Sequence, residues 1–194
     1  NLTWQETSVS KERREILINQ KSLVIWFTGI SGSGKSTIAN LLEKKLSSNG
    51  FLTYLLDGDN LRHGLNKDLG FKKEHRIENL RRAGEVAKIL YDSGIIVLAA
   101  FISPYQSDRE SIRKLFPSAD FIEVHVDAKI ETTKSRDPKG LYKKASKGEI
   151  PNFTGLTSDY EMPENPEIRL DTNILSAEES LNLIMDFLKG KNVI

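Results

Sequence analysis

The eight residues Gly29-Ile30-Ser31-Gly32-Ser33-Gly34-Lys35-Ser36 constrain this chain more than any others. They fit the pattern G-x-x-x-x-G-K-[ST], follow the apolar run Leu23 to Thr28, and open a segment in which Ile38, Leu41, Leu42 and Leu46 recur at helical spacing. A strand, a glycine-rich turn and a helix in that order make a phosphate cradle. The glycines let the backbone turn its N–H groups onto the phosphates with no Cβ in the way, and the helix N-terminus adds partial positive charge. Lys35 then reaches the β- and γ-phosphates, and Ser36 is the expected protein ligand of Mg²⁺. The loop fixes a nucleotide donor but not the reaction, because switches, motors and kinases all use it.

The remaining apolar runs place this loop in a layered α/β sheet. Strands are expected at Leu23 to Thr28, Phe51 to Leu56, Ile95 to Ile102, Phe121 to Val126 and Ile168 to Leu170. Between or after them lie helix-period segments at Lys35 to Ser48, Glu74 to Asp92, Tyr105 to Phe116 and Ala177 to Leu188. That alternation implies a mainly parallel five-stranded sheet with helices on both faces. Ser176 and Glu179 make a capping box at the start of the last helix, and Gly190 is placed to terminate it. At 194 residues the chain is expected to be one domain, with an N-terminal arm over 1–20. The segment from about 129 to 165 lacks a sustained apolar period and is too long for an ordinary connection, so it reads as a mobile lid. Between Lys129 and Glu149 seven basic residues face three acidic ones, a charge suited to closing over a triphosphate and excluding water.

The whole chain lacks that bias. Lys and Arg total 28 against 27 for Asp and Glu, which gives no general attraction to nucleic acid or an anionic membrane. There is no cysteine, hence no disulfide framework or thiolate zinc site, as suits a reducing cytoplasm. The polar stretch Asn1 to Gln20 has no apolar signal core, and no later run reaches membrane-spanning length. His63, His75 and His125 have no metal-site spacing, and no chemical role is expected of them.

Candidate chemistry gathers at predicted strand ends, the edge where such sheets bind ligands. After the second strand, Asp57-Gly58-Asp59 offers carboxylates to orient a nucleophile or hold Mg²⁺, with Asp59 the stronger candidate and Asp57 equally at home capping a turn. Arg76 and Asn79 share a helix face behind Arg62 and can bind an oxyanion; a solvated face with pairs such as Glu78 and Arg82 is the alternative. Ser103, before Pro104, can reach a ligand or cap the helix from Tyr105, and taken alone the cap is the more natural role.

These stretches resemble one family, adenylylsulfate (APS) kinase, over nearly the whole chain. The resemblance is carried by GISGSGKST at 29–37, LDGDNLRHGLNKDLGF at 56–71, RIENLRRAGEVA at 76–87, FISPY at 101–105, RDPKGLYKKASKGEIPNFTG at 136–155 and YEMPENPEIRL at 160–170. It implies the three-layer P-loop kinase fold and transfer of the ATP γ-phosphoryl to the ribose 3′-hydroxyl of APS, giving PAPS. It implies Lys35, Asp57, Asp59 and Ser103 in catalysis, with Mg²⁺ on Ser36 and Asp59. ATP is then held by Gly29 to Thr37, with Arg136 packing on its adenine. The acceptor is held by Asp59, Arg62, Arg76, Asn79, Ile102, Ser103 and Lys139, with Phe71 and Phe153 sandwiching its adenine. Neither phenylalanine has periodic apolar neighbours that would make it ordinary core. The family commonly dimerises, so a homodimer is expected. Lys72 and His75 depart from the usual Ser and Asp and leave the helix start there open.

Two other functions use the same loop. A kinase for gluconate, shikimate or a nucleoside shares the sheet but has no use for two aromatics flanking a base. A regulatory nucleotide switch is disfavoured because neither the acidic strand typical of motor ATPases nor an N-K-x-D guanine-reading pattern is present.

Overall fold

The computed structural model describes residues 2–137, 139–150 and 153–194. Five strands, β1 (Leu23–Thr28), β2 (Thr53–Asp57), β3 (Ile96–Ala100), β4 (Phe121–Asp127) and β5 (Ile168–Asp171), pair in the order β2-β3-β1-β4-β5, every pair parallel. The expected α/β class is therefore observed. β1 lies at the centre, and all six of its residues are buried. Its side chains alternate between the two faces, as a strand requires. Leu23, Ile25 and Phe27 pack with α2 (Lys35–Ser48) and α8 (Ala177–Gly190). Val24 and Trp26 pack with α4 (Lys73–Asp92) and α5 (Gln106–Arg113) on the other side. Parallel strands covered on both faces read as continuous apolar runs, which is why β1 and β4 are visible in the sequence.

The boundaries differ where tertiary contacts decide them. Phe51 leaves β2 because its N–H closes the end of α2 on Leu46 O at 3.1 Å. Phe101 to Ser103 leave β3 and turn over the sheet edge, with Ser103 at φ +39. Tyr105 occupies the position before α5, so Ser103 is not its cap. The first N–H of that helix, on Gln106, is satisfied from far along the chain by Glu161 Oε2 at 2.6 Å. At the other terminus the capping box of α8 forms as expected, but Gly190 remains inside the helix. The left-handed residue that ends it is Asn192 (φ 53), with Val193 N–H returning to Leu188 O at 3.2 Å. Asn tolerates that conformation through local hydrogen bonding, so it serves where glycine usually does.

Short helices also occupy segments read as irregular. α1 (Lys11–Ile18) lies in the N-terminal arm, α3 (Gly58–His63) follows β2, and α6 (Ile130–Arg136) and α7 (Leu141–Ser146) fold the first half of the lid segment. α1 buries none of its residues; Glu15 docks it by accepting from Ser22 N and Ser22 Oγ, both at 2.7 Å. Such elements are held by polar contacts to distant parts of the chain, to which local periodicity is blind.

Candidate active site

The carboxyl ends of β1, β2 and β3 converge on the glycine-rich loop. Gly29 leaves β1 at φ +152, so close to β4 that a Cβ there would stand 2.4 Å from Val126 O. No other residue fits that position. Lys35, at the start of α2, is 8% exposed and donates to Ile30 O at 2.8 Å, folding back over its own loop. Burial pushes its pKa down to about 8; the nearby Asp57 and Asp59 carboxylates oppose that, and Lys139 adds to it.

Asp57 closes β2 and caps α3, its Oδ1 accepting from Asp59 N at 2.9 Å. Its other oxygen, Oδ2, accepts from Ser36 Oγ at 2.6 Å. The turn cap and the contact with the phosphate-loop serine therefore belong to one carboxylate using its two oxygens. Asp59 points instead to the lid and pairs with Lys139, both side chains being exposed, and this contact raises the Lys139 pKa. Mg²⁺ favours a few oxygen ligands from protein, the rest coming from phosphate and water. The Ser36 hydroxyl and the Asp57 carboxylate, side by side at the mouth of the phosphate loop, fit that habit.

On the β2 and β3 side, two arginines meet. Arg62 donates to Leu69 O at 3.1 Å and Gly70 O at 3.0 Å, with its guanidinium 4.5 Å over the Phe71 ring. Arg76 donates to Phe71 O at 2.9 Å and to Thr154 Oγ1. Burial lowers the pKa of both. The outward face of α4 carries the ordinary surface pairs, Glu78 with Arg81 and Arg82, as the solvated-face alternative expects. Asn79 is buried and accepts from Asn66 Nδ2 at 3.0 Å. His75 accepts from Gly70 N at 2.8 Å and so fixes the turn that presents Phe71. Lys72 stands before α4 and makes no side-chain cap.

Ile102 O receives Thr28 Oγ1 at 2.8 Å and Gly29 N at 3.4 Å, binding the end of β3 to the loop. Ser103 is 1% exposed; its Oγ accepts from Trp26 Nε1 at 3.1 Å, and its carbonyl accepts from Arg109 at 2.7 Å. Arg136, at the end of α6, donates to Thr172 Oγ1 at 3.1 Å and to Thr172 O, just past β5. It therefore sits beside the end of β5, at the opposite edge of the sheet from β2 and the α3 that carries Arg62. Phe71 is exposed, whereas Phe153 is buried in a small cluster with Tyr142 and Ala145. The expectation that Phe153 has no core-like neighbours is thus corrected. Its neighbours come from α7, which folds back onto it, and no local period records that. Within the lid segment Pro138, Pro151 and Asn152 lie outside the described residues.

Four functional neighbours escaped the sequence reading. Thr28, Tyr142, Tyr160 and Thr172 carry hydroxyls that fasten the loop to its surroundings; Thr28 and Tyr160 stand 3.0 Å apart, and Thr172 Oγ1 donates to Ser33 O at 3.0 Å. Only the proximity of Tyr142 to the lid's basic run would have drawn attention to any of them.

The family model for adenylylsulphate kinase matches residues 21–171. The chain belongs to that family. An adenylyl-sulfate kinase of Clostridium kluyveri is 56% identical over 98% of this chain and 96% of its own length. The Mycobacterium tuberculosis APS kinase, solved in complex with AMPPNP and APS, is 48% identical with a TM-score of 0.84, covering 88% of this chain and 99% of that one. A hexameric APS kinase from Thiobacillus denitrificans is 32% identical with a TM-score of 0.69, covering 93% of this chain but 30% of that one. This family member is therefore a P-loop kinase. Among the described residues no helix is long and apolar enough to cross a membrane.

Proposed function

We propose that this chain transfers the γ-phosphoryl group of ATP to the 3′-hydroxyl of adenosine 5′-phosphosulfate, giving PAPS and ADP. The observation that carries the reading is that Asp57 accepts from Ser36 of the loop while Asp59 lies within electrostatic reach of Lys35 on one side and Arg62 on the other. A donor triphosphate and an anionic acceptor then meet at carboxylates. The backbone of Gly29 to Thr37 and the Lys35 ammonium cradle the donor phosphates, while Arg136 borders the adenine. Arg62, Arg76, Asn79, Ile102 and Ser103 border the acceptor, and Phe71 and Phe153 flank its base.

Ser36 and Asp57 would hold Mg²⁺, which when bound neutralises charge on the β- and γ-oxygens. The metal role expected of Asp59 passes to Asp57, because Asp57 is the carboxylate on Ser36. Asp59 keeps the orienting role. Freed from Lys139, its carboxylate takes the proton of the acceptor hydroxyl as that oxygen bonds to the γ-phosphorus, and the bond from that phosphorus to the β–γ bridging oxygen breaks to release ADP. Lys139 then turns to the anionic acceptor, and the lid over 129–165 excludes water so that transfer outruns hydrolysis. A homodimer in the cytoplasm belongs to the same proposal.

A coupled ATP-consumption assay across APS, gluconate, shikimate and nucleosides, with a no-acceptor control, tests this. Turnover with APS is expected to exceed the others by about 10²-fold or more. Faster turnover with any other acceptor would overturn the substrate assignment.

A further inference from the structure

Tyr142, a lid side chain, touches both the phosphate loop and Phe153 through contacts of different kinds. It is 3% exposed, although its helix lies in a basic, largely exposed segment. Its hydroxyl donates to Ser31 O in the phosphate loop at 2.8 Å and accepts from Thr133 Oγ1 at 2.9 Å. Its ring meets the Phe153 ring edge-on, centroids 4.9 Å apart at 74°. The next residue, Thr154, takes the hydrogen bond from Arg76, and Gly155 packs so near Ile30 that a Cβ there would lie 3.3 Å from Ile30 Cγ2.

The Ser31 carbonyl matters because a trans peptide points its C=O and the following N–H in opposite directions within one plane. Tying Ser31 O to Tyr142 on the outside of the loop aims the Gly32 N–H inward, where phosphate oxygens are bound. Gly32 sits at φ +75, and a Cβ on it would come within 3.6 Å of the Tyr142 ring, so the peptide is packed as well as bonded. A nucleotide phosphate on the Gly32 N–H favours the same orientation of this plane as the tyrosine does. The position of the Tyr142 ring in turn sets where Phe153 stands.

We propose that Tyr142 is a positioning residue that couples the donor loop to the acceptor clamp, so that nucleotide and acceptor each strengthen the binding of the other through it. This rests on Phe153 being an acceptor contact. By linkage the effect is reciprocal: whatever factor nucleotide adds to acceptor affinity, acceptor adds to nucleotide affinity. Tyr142 touches neither ligand's reacting atoms, and its role is read in that factor.

The experiment is calorimetric titration of APS with and without ADP and Mg²⁺, and of ADP with and without APS, on wild type, Tyr142→Phe, Thr133→Val and Phe153→Ala. Wild type is expected to bind APS more tightly when ADP is present. Tyr142→Phe, which keeps the ring and removes the hydrogen bond, is expected to reduce that coupling factor about 3- to 10-fold. Thr133→Val, which removes the hydroxyl holding Tyr142 in place, is expected to act in the same direction with smaller size, and thermal unfolding of each unliganded variant checks the fold. A purely structural tyrosine would weaken APS equally with and without nucleotide and leave the factor alone. A wild-type factor of about one, or an unaltered factor in both folded hydroxyl variants, overturns the inference. If Phe153→Ala leaves APS affinity unchanged, the clamp reading fails instead; if it weakens APS while Tyr142→Phe leaves the factor intact, the clamp stands and only the coupling falls.

Discussion

Replacing Lys35 by Met is expected to stabilise the unliganded protein while abolishing transfer. The ammonium is buried beneath the loop, where its pKa falls from 10.5 to about 8. At roughly 1.4 kcal/mol per unit, that is a burden of about 3 kcal/mol on the folded state whenever the group is charged in both states. The folded pKa lies below the unfolded one, so the unfolded chain binds more protons between about pH 8 and 10.5, and stability rises with pH across that window. Met keeps most of the aliphatic stem, carries no charge, and forfeits the hydrogen bond to Ile30 O, a loss of about 1 kcal/mol. The net gain expected at pH 7 is therefore about 2 kcal/mol, shrinking by about 2 kcal/mol on going to pH 9.5. Urea unfolding of both proteins without nucleotide at the two pH values measures this, and other titrating groups cancel in the difference. Transfer should fall by roughly 10²-fold or more, because under the proposed function the charge that is costly to bury is the one that stabilises the moving phosphoryl group. A Met variant less stable than wild type at pH 7, or a difference unmoved by pH, would refute the reasoning.

Three further predictions come from other parts of the molecule. Glu123→Leu leaves Arg109, its fully buried partner at 3.0 Å, without a carboxylate, and should cost about 3–5 kcal/mol by urea unfolding; a loss below about 1 kcal/mol would show that the pair is not needed. Gly29→Ala forces a Cβ to 2.4 Å from Val126 O and should abolish nucleotide binding or folding, whereas Gly190→Ala, in the last turn of α8, meets nothing within 4 Å and should be nearly neutral in both melting and turnover. Ser103 lies buried with its hydroxyl occupied by Trp26, so transfer should go directly in line and invert configuration at phosphorus. Net retention with a chiral γ-phosphate, together with label passing from Ser103 into product, would reverse that conclusion.

The sequence by itself determined the sheet, its parallel class and the donor loop. Those features are written in short-range terms: continuous apolar runs for strands buried on both faces, helical spacing for α2, α4 and α8, and glycines where a backbone must turn toward phosphate. Family resemblance extended this to substrate class. The tertiary structure alone decided which carboxylate faces Ser36, because Asp57 and Asp59 differ by two residues in the chain and only the turn into α3 sends one to the loop and the other to Lys139. It also decided that Glu161 caps α5 in place of Ser103, that Phe153 is packed against α7, and that Tyr142 reaches both the phosphate loop at Ser31 O and the Phe153 ring. Each of these is a contact between residues distant in the chain, made by hydroxyls, carboxylates and rings that carry no periodic signature. Such partners meet only after the sheet has brought the ends of its strands to one edge.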